Sequence, residues 1–308
     1  MAPNEPQRAR PRVFDRLRRA LRLPPGEAST PFARQVRRKA LLVAGTVAGA
    51  WLVAFLAFLL FQREVVFPAP GKTQVGFVRN GQVLRLPSPG GEVVALYFSG
   101  PGYVTTLVYF HGNGDQLVGT EDWVFELERQ GFAVLAVEYP GYGLAAGSGP
   151  PSERGCYAAA ETALAWLRAQ GVAPEHTVLV GHAMGAAVAG EMAARGHAGK
   201  LVLLAPMTSA PEMVQRMLPY LPVSLVMRDR FDLLARAPQI RVPTLIVHGR
   251  EDEVAPVEMG RALAKALPDA TLVVPQLALH DLVNTRLVQL SRCIAQFVRE
   301  DACWIEIR

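Results

Sequence analysis

Apolar positions along this chain fall into three regimes. The first is continuous: residues 40–61 read ALLVAGTVAGAWLVAFLAFLLF without a charge. As a helix rising about 1.5 Å per residue, that run covers about 33 Å, enough for the hydrocarbon of a bilayer, and predicts a transmembrane helix. The second is short and alternating, at 73–79, 82–86 and 91–98, broken by RNG and PSPGG; it predicts a small antiparallel meander. In the third, apolar strands at 104–110, 132–138, 176–181, 200–205, 243–249 and 271–275 alternate with helical stretches near 119–130, 152–169, 184–195, 256–267 and 283–299. That alternation predicts βαβ units, an α/β fold with a mostly parallel sheet and helices on both faces. No repeat or low-complexity linker interrupts it, so residues 64–308 form one expected domain. The longest gap between strands, 206–242, is the natural place for a small lid or substrate-facing insertion.

Charge orients the apolar run. Residues 1–39 hold ten Arg and one Lys against Glu5, Asp15 and Glu27, a net +8; the whole chain is +5, which leaves −3 for residues 40–308. Arg34, Arg37, Arg38 and Lys39 flank the run on one side, and Arg63 is offset by Glu64 on the other. The bias places a basic tail, 1–39, in the cytoplasm, an anchor at 40–61, and the globular part outside. A cleaved signal peptide is the rival reading, but the basic region and the apolar run are both too long for one and FQREVVFPAP lacks an A-x-A-like site. Within the tail, Phe14, Leu17 and Leu21 stand at helical spacing among arginines. That stretch reads either as an interfacial helix on an anionic leaflet or as a basic tail that only sets topology.

Composition removes other classes. Half the residues are hydrophobic and 19% charged, with a mean hydropathy of +0.18, which excludes a disordered chain, a fibre or a disulfide scaffold. The basic balance belongs to the tail alone, so no nucleic-acid-binding surface is expected. With 28 Arg, 4 Lys and much Ala and Pro, the composition resembles that of a GC-rich bacterium, making the expected location the inner membrane with the domain on the periplasmic side. Cys156, Cys293 and Cys303 lack CxxC or metal-ligand spacing; they read as buried thiols, with a Cys293–Cys303 bridge the alternative, and no metal or cofactor is expected.

Ligands of open α/β sheets bind beyond the carboxyl ends of the strands. After 104–110 comes His111-Gly112-Asn113-Gly114, a turn whose backbone N–H groups can face a developing oxyanion. After 176–180 comes Gly181-His182-Ala183-Met184-Gly185, a tight strand-to-helix turn flanked by glycines, with Met184 able to supply a second N–H. Asp252 follows the 243–249 strand and His280 the last one. The order is that of nucleophile, acid and base in a Ser–Asp–His arrangement, with Asp252 orienting the His280 imidazole. Glu251 and Asp281 beside them read as solvated neighbours.

Together YFHGNG (109–114), EYPGYGLAAGSGPPSERG (138–155), LVGHAMGAAVA (179–189), LLAPMTSAPEM (203–213), VPTLIVHGREDEVAP (242–256) and LHD (279–281) resemble α/β-hydrolase-domain proteins, specifically the membrane-anchored group of depalmitoylase-like and serine aminopeptidase-like hydrolases. The resemblance implies the α/β-hydrolase fold, an acyl, ester, thioester or lipid-like substrate, and a Gly-x-Ser-x-Gly elbow. Here the serine position holds Ala183, and the base is preceded by Gln276-Leu277-Ala278-Leu279 without a glycine. A methyl group cannot attack a carbonyl, so by the serine mechanism the chain is expected to be nearly inactive. Among substitutes, His182 is one residue off and its side chain is expected to point elsewhere; Thr208 and Ser209 follow the next strand, where the resembled family has similar residues beside an intact serine, and Cys156 reads as a small core residue. Two classes of function remain: a membrane-tethered acyl hydrolase whose serine is replaced in this chain, and a pseudoenzyme that binds an acyl or peptide ligand, or acts as a scaffold, without turnover.

Overall fold

The computed structural model describes residues 31–69, 71, 81–88, 91–99 and 102–304. The expected strand at 73–79 and the basic stretch around Phe14–Leu21 lie outside them. The chain divides into two compact units, Met1–Leu60 and Phe61–Arg308. Helix α1 (Pro31–Val66) contains the uncharged run and leaves helical geometry once, at Phe61, where φ is −109° and ψ 18°. Its Arg34–Val66 portion is long and apolar enough to cross a membrane.

The second unit is built on an eight-stranded sheet of order β1-β2-β4-β3-β5-β6-β7-β8. β1 (Gln82–Ser88) and β2 (Gly91–Phe98) form the predicted hairpin, and β2 runs antiparallel to β4 (Ala133–Val137). β3 (Thr106–Phe110), β5 (Thr177–His182), β6 (Lys200–Leu204), β7 (Thr244–Val247) and β8 (Ala270–Val273) continue in parallel. β3 and β4 are buried at every residue, as continuous apolar runs must be when helices cover both faces.

Helices α2 (Glu121–Arg129), α3 (Glu153–Ala169), α4 (Met184–Ala194) and α8 (Val257–Ala266) fall where the 3.6-residue pattern predicts them. The insertion at 206–242 folds into three short helices, α5 (Ala210–Met217), α6 (Val223–Val226) and α7 (Leu233–Arg236). The expected last helix is broken at Arg286 into α9 (Leu282–Thr285) and α10 (Leu287–Glu300). α10 buries Leu290, Cys293, Ile294 and Phe297 at i, i+3, i+4 and i+7 in one core with Trp123, Val124 and Leu127 of α2.

One expectation is overturned at the end of α10. Cys293 and Cys303, expected as thiols, are disulfide-bonded, with Cα atoms 5.1 Å apart; the free thiol among the described residues is the buried Cys156. The reversal that brings them together starts at Asp301, whose φ is 57° and whose carboxylate lies 2.7 Å from Lys200 Nζ. Spacing alone does not reveal a left-handed Asp.

Candidate active site

The strand-to-helix turn between β5 and α4 is set by two glycines. A Cβ at Gly181 would lie 2.3 Å from the Gly185 carbonyl oxygen, and one at Gly185 would lie 2.1 Å from that of Phe110. Only hydrogen side chains let the turn close this far onto itself and onto the end of β3. Between them Ala183 is forced to φ 49°, ψ −112°, a conformation that L residues rarely adopt. It is held there by its N–H donating to Leu204 O at 2.9 Å and its carbonyl accepting from Ala186 N at 3.1 Å. The strain raises residue 183 out of the sheet, partly exposed, at the start of α4. Met184, the first residue of α4, has no intrahelical partner for its N–H, because the first turn of any helix leaves its donors free.

The HGNG turn is braced from below. His111 is fully buried, with Nε2 2.9 Å from Glu138 Oε1 and Nδ1 2.8 Å from Gly112 O. Glu138 uses its other oxygen to accept from Leu117 N and Leu144 N, both at 3.2 Å. The Tyr139 hydroxyl donates to His111 O at 3.1 Å, and that of Tyr142 to Asn113 Oδ1 at 3.0 Å. Burial pushes the Tyr142 phenol far up, so it remains a donor. The Asn113 side chain is thereby engaged, and what the turn offers a ligand is the Asn113 backbone N–H, which has no partner among the described residues. Gly112 N donates to Asp115 Oδ2 at 3.1 Å, and a Cβ on Gly112 would collide with that oxygen at 2.7 Å. Gly114 has open space around it.

Asp252 and His280 meet as expected. Asp252 Oδ2 lies 2.8 Å from His280 Nδ1, with the carboxylate fully buried and the imidazole side chain 24% exposed. Oδ1 accepts from Val254 N at 2.9 Å and Ala255 N at 2.8 Å. His248, the residue that follows β7, donates from Nε2 to Ala255 O at 2.7 Å and lies 3.4 Å from Asp252 Oδ2. Burial works to raise the Asp252 carboxyl, but hydrogen bonds from His248 and His280 and the charge of His280 outweigh it and hold the group well below the usual carboxylate range. The two loops lock through Gly249, where a Cβ would meet Ala278 O at 2.2 Å, and through Glu251 N donating to that oxygen at 3.1 Å. The missing glycine before His280 is replaced by strain: Leu277 sits at φ 52° with its side chain 71% exposed.

His182 corrects the sequence reading. Its side chain does not point away from the site but packs its ring 5.5 Å from that of His280, centroid to centroid. Nδ1 lies 3.4 Å from Asp115 Oδ2 and Nε2 3.3 Å from the His280 carbonyl oxygen, so one imidazole joins the HGNG turn to the His280 loop. The hydrogen bond from His182, opposed by burial, holds the Asp115 carboxyl below its ordinary value. Asp115, Glu138 and Tyr142 are the contributors that sequence reasoning missed; Glu138 and Tyr142 stand inside the EYPGYG motif, the one signal that pointed to them.

The other sequence candidates are occupied structurally. Thr208 donates to Glu212 Oε2, Ser209 caps α5 by accepting from Glu212 N, and Cys156 is buried in α3 with its thiol pushed up by that burial. Glu251 is exposed, and Asp281 caps α9 through Asn284 N. Among the described residues no group of three or more His, Cys, Asp or Glu side chains is arranged to hold a metal ion.

An elbow at the fifth strand, a carboxylate after the seventh and a histidine after the eighth, on a sheet of this order, define an α/β-hydrolase architecture. The α/β-hydrolase family profile matches residues 107–296, and the chain belongs to that family. It is 31% identical over 254 residues to an uncharacterized protein of Mycobacterium tuberculosis H37Rv, covering 78% of this chain and 88% of that one. It is 30% identical over 179 residues to human alpha/beta hydrolase domain-containing protein 17B, covering 57% of this chain and 60% of the human protein. Among solved structures, the esterase Pf2001 of Pyrococcus furiosus superposes with a TM-score of 0.63 at 17% identity, over 75% of this chain and 98% of that one. Est1E of Butyrivibrio proteoclasticus does so with 0.57 at 17%, over 71% and 98%; at such identities the likeness speaks for the fold.

Proposed function

We infer that this protein is a membrane-tethered hydrolase scaffold for acyl substrates, esters, thioesters or lipids, whose reaction is suspended at one atom. The observation that carries the reading is the Asp252–His280 pair at 2.8 Å beside an elbow that still forces residue 183 to a φ of 49°. With a serine at 183, His280 Nε2 takes the hydroxyl proton as Oγ attacks the acyl carbon, Asp252 stabilises the resulting imidazolium, and the N–H groups of Asn113 and Met184 receive the oxyanion. With Ala183 there is no attacking oxygen. Loss of such a nucleophile costs on the order of 10⁶ in kcat, leaving roughly 10³ over water from binding and the oxyanion hole.

In this reading residues 40–61 anchor the chain with its N-terminus in the cytoplasm and its domain outside, on the periplasmic side of a bacterial inner membrane. The basic flank at Arg34–Lys39 supports that orientation, and the Cys293–Cys303 disulfide suits an oxidising compartment. The second reading, a pseudoenzyme that binds a ligand without turnover, is favoured by Ala183 itself.

The test compares the full chain in detergent as it stands, with Ala183→Ser, and with Ala183→Ser combined with His280→Gln. Each is assayed for labelling by a fluorophosphonate probe and for hydrolysis of aryl esters of graded acyl length. The expected result is labelling and turnover by the single variant alone. If all three melt alike and none reacts, the scaffold has lost its catalytic geometry and the pseudoenzyme reading replaces this one.

A further inference from the structure

The N–H groups offered to an oxyanion stand after β3 and the base stands after β8, four places apart in the sheet order. At about 4.8 Å per strand those two strands lie about 19 Å apart, so the sheet by itself does not fix one loop against the other. A side chain above the strand ends does. His182 is the last residue of β5, in register with Leu204 of β6, and the next N–H in the chain donates to Leu204 O at 2.9 Å. Its imidazole therefore leaves from a fixed point, and its side chain is only 7% exposed.

One edge of the ring meets the HGNG turn. Nδ1 lies 3.4 Å from Asp115 Oδ2, the oxygen that also accepts from Gly112 N at 3.1 Å. A Cβ on Gly112 would stand 3.0 Å from Nδ1, so glycine at 112 is what lets the turn come down onto the imidazole. Asp115 N donates in turn to Gly112 O at 3.3 Å, which closes the turn around the carboxylate. The other edge meets the base loop: Nε2 lies 3.3 Å from His280 O, which also accepts from Leu282 N at 2.9 Å. The two imidazole rings pack against each other at a tilt of 38°.

Hydrogen-bond chemistry then sets the state of the ring. A carboxylate and a peptide carbonyl only accept, so holding both at once needs hydrogen on both ring nitrogens. The titratable neighbours of His182 are Asp115 on the HGNG turn and His280 on the base loop. Apolar side chains of similar size would close the same space without taking a charge out of water.

We propose that Asp115 and His182 are positioning residues for the hydrolysis described above. The imidazole, carrying hydrogen on both nitrogens, clasps the HGNG turn to the backbone of His280 and so sets the distance between the oxyanion donors and the base. This rests on the hydrolase reading of the site and adds to it the pair that holds its two halves in register. A misplacement of about 1 Å between such groups is worth about 10²-fold in rate.

The test uses the full chain in detergent and has two arms. In the chain as it stands, with nitrogen-15 in its histidines, the ring-nitrogen shifts at neutral pH report how many hydrogens His182 carries. Its signals are identified by their loss in His182→Phe. Two ring hydrogens on His182 are expected in the parent and one in Asp115→Asn; a single ring hydrogen in the parent overturns the proposal. The second arm adds Ala183→Ser throughout and measures kcat and KM for an aryl ester, with Tm alongside. His182→Phe keeps a ring against His280, and Asp115→Asn keeps the shape of the side chain. Each is expected to lower kcat about 10²-fold while KM stays within about threefold. Tm is expected to stay within about 2 °C. The two substitutions together are expected to cost no more than either alone, because either one opens the clasp. Losses that multiply, fall on KM or track Tm overturn the proposal. No turnover by Ala183→Ser alone overturns the catalytic reading and the positioning role with it, while the first arm still decides whether the bridge exists, so the two failures are told apart.

Discussion

Replacing Gly185 by Ala tests whether the elbow is held by close backbone approach. Gly185 lies in α4, where helix propensity alone favours alanine by about 1 kcal/mol. The geometry opposes it: the added Cβ would stand 2.1 Å from O of Phe110, the last residue of a strand paired on two sides, and 2.5 Å from O of His111, the residue that follows it. Reaching an ordinary separation of about 3.5 Å requires α4 and β3 to part by more than about 1 Å, and the interior does not yield that cheaply. Overpacking costs typically about 1–3 kcal/mol, and relief that must come from backbone puts this site at the upper end, about 3 kcal/mol. For a unit of this size each kcal/mol moves Tm by about 2–4 °C, so Gly185→Ala is expected to melt about 6–12 °C below the parent. Gly114→Ala, in open space, is expected within about 2 °C. The assay is thermal unfolding of the full chain in detergent, followed by exposure of the buried Cys156 thiol. Failure of Gly185→Ala to accumulate folded, while Gly114→Ala does, counts as the same result. A Gly185→Ala variant as stable as the parent, or more so, refutes the argument, because propensity would then have outweighed the contact.

The Asp252 carboxyl is held below its unfolded value of about 3.9, so it contributes stability that is fully present above about pH 5 and lost as pH falls through the folded value. Denaturant unfolding between pH 5 and pH 3 is therefore expected to show a pH slope that flattens in Asp252→Asn; an unchanged slope would mean that other carboxylates carry the acid sensitivity. The Cys293–Cys303 bond closes a loop with a sequence separation of 10, for which chain entropy gives at most about 3 kcal/mol. Thiol titration of the unfolded chain should find one thiol before reduction and three after, with reduction lowering Tm; three thiols without reductant, in protein made in an oxidising compartment, would contradict the pairing.

What the sequence disclosed about this fold came from features that act locally. Central strands such as 133–137 read as unbroken apolar runs because both their faces are covered, and Gly181 and Gly185 mark the elbow because a Cβ on the first would collide with α4 and one on the second with the end of β3. Asp252 and His280 were legible because each follows its own strand in the expected order. The rest depends on backbone turns that no pattern announces. A left-handed Asp301 brings Cys303 back to Cys293, and a left-handed Leu277 does the work of the glycine missing before His280. His182, one residue from the elbow position, is expected to point elsewhere, whereas the loops that wrap over β5, carrying Asp115 and His280, decide what its side chain meets.

The two residues of the dyad differ in what their presence means. Asp252 has structural duties that would keep it without any chemistry: its buried Oδ1 closes the turn through Val254 N and Ala255 N, and removing it would leave two donors unsatisfied. Its persistence is therefore silent on turnover. His280 is different. Its Nδ1 meets Asp252, but no described protein group takes Nε2, the nitrogen that a serine at 183 would use, and its partly exposed ring packs against the ring of the residue preceding Ala183. The loop around it carries the cost of a strained Leu277 and closes on Gly249, where a Cβ would meet Ala278 O at 2.2 Å. In the proposed function that nitrogen is the one that would meet a serine hydroxyl at 183, a duty the fold itself does not ask of it. His280, more than the acid beside it, is thus the residue by which an occupied acyl site and an empty hydrolase shell are told apart.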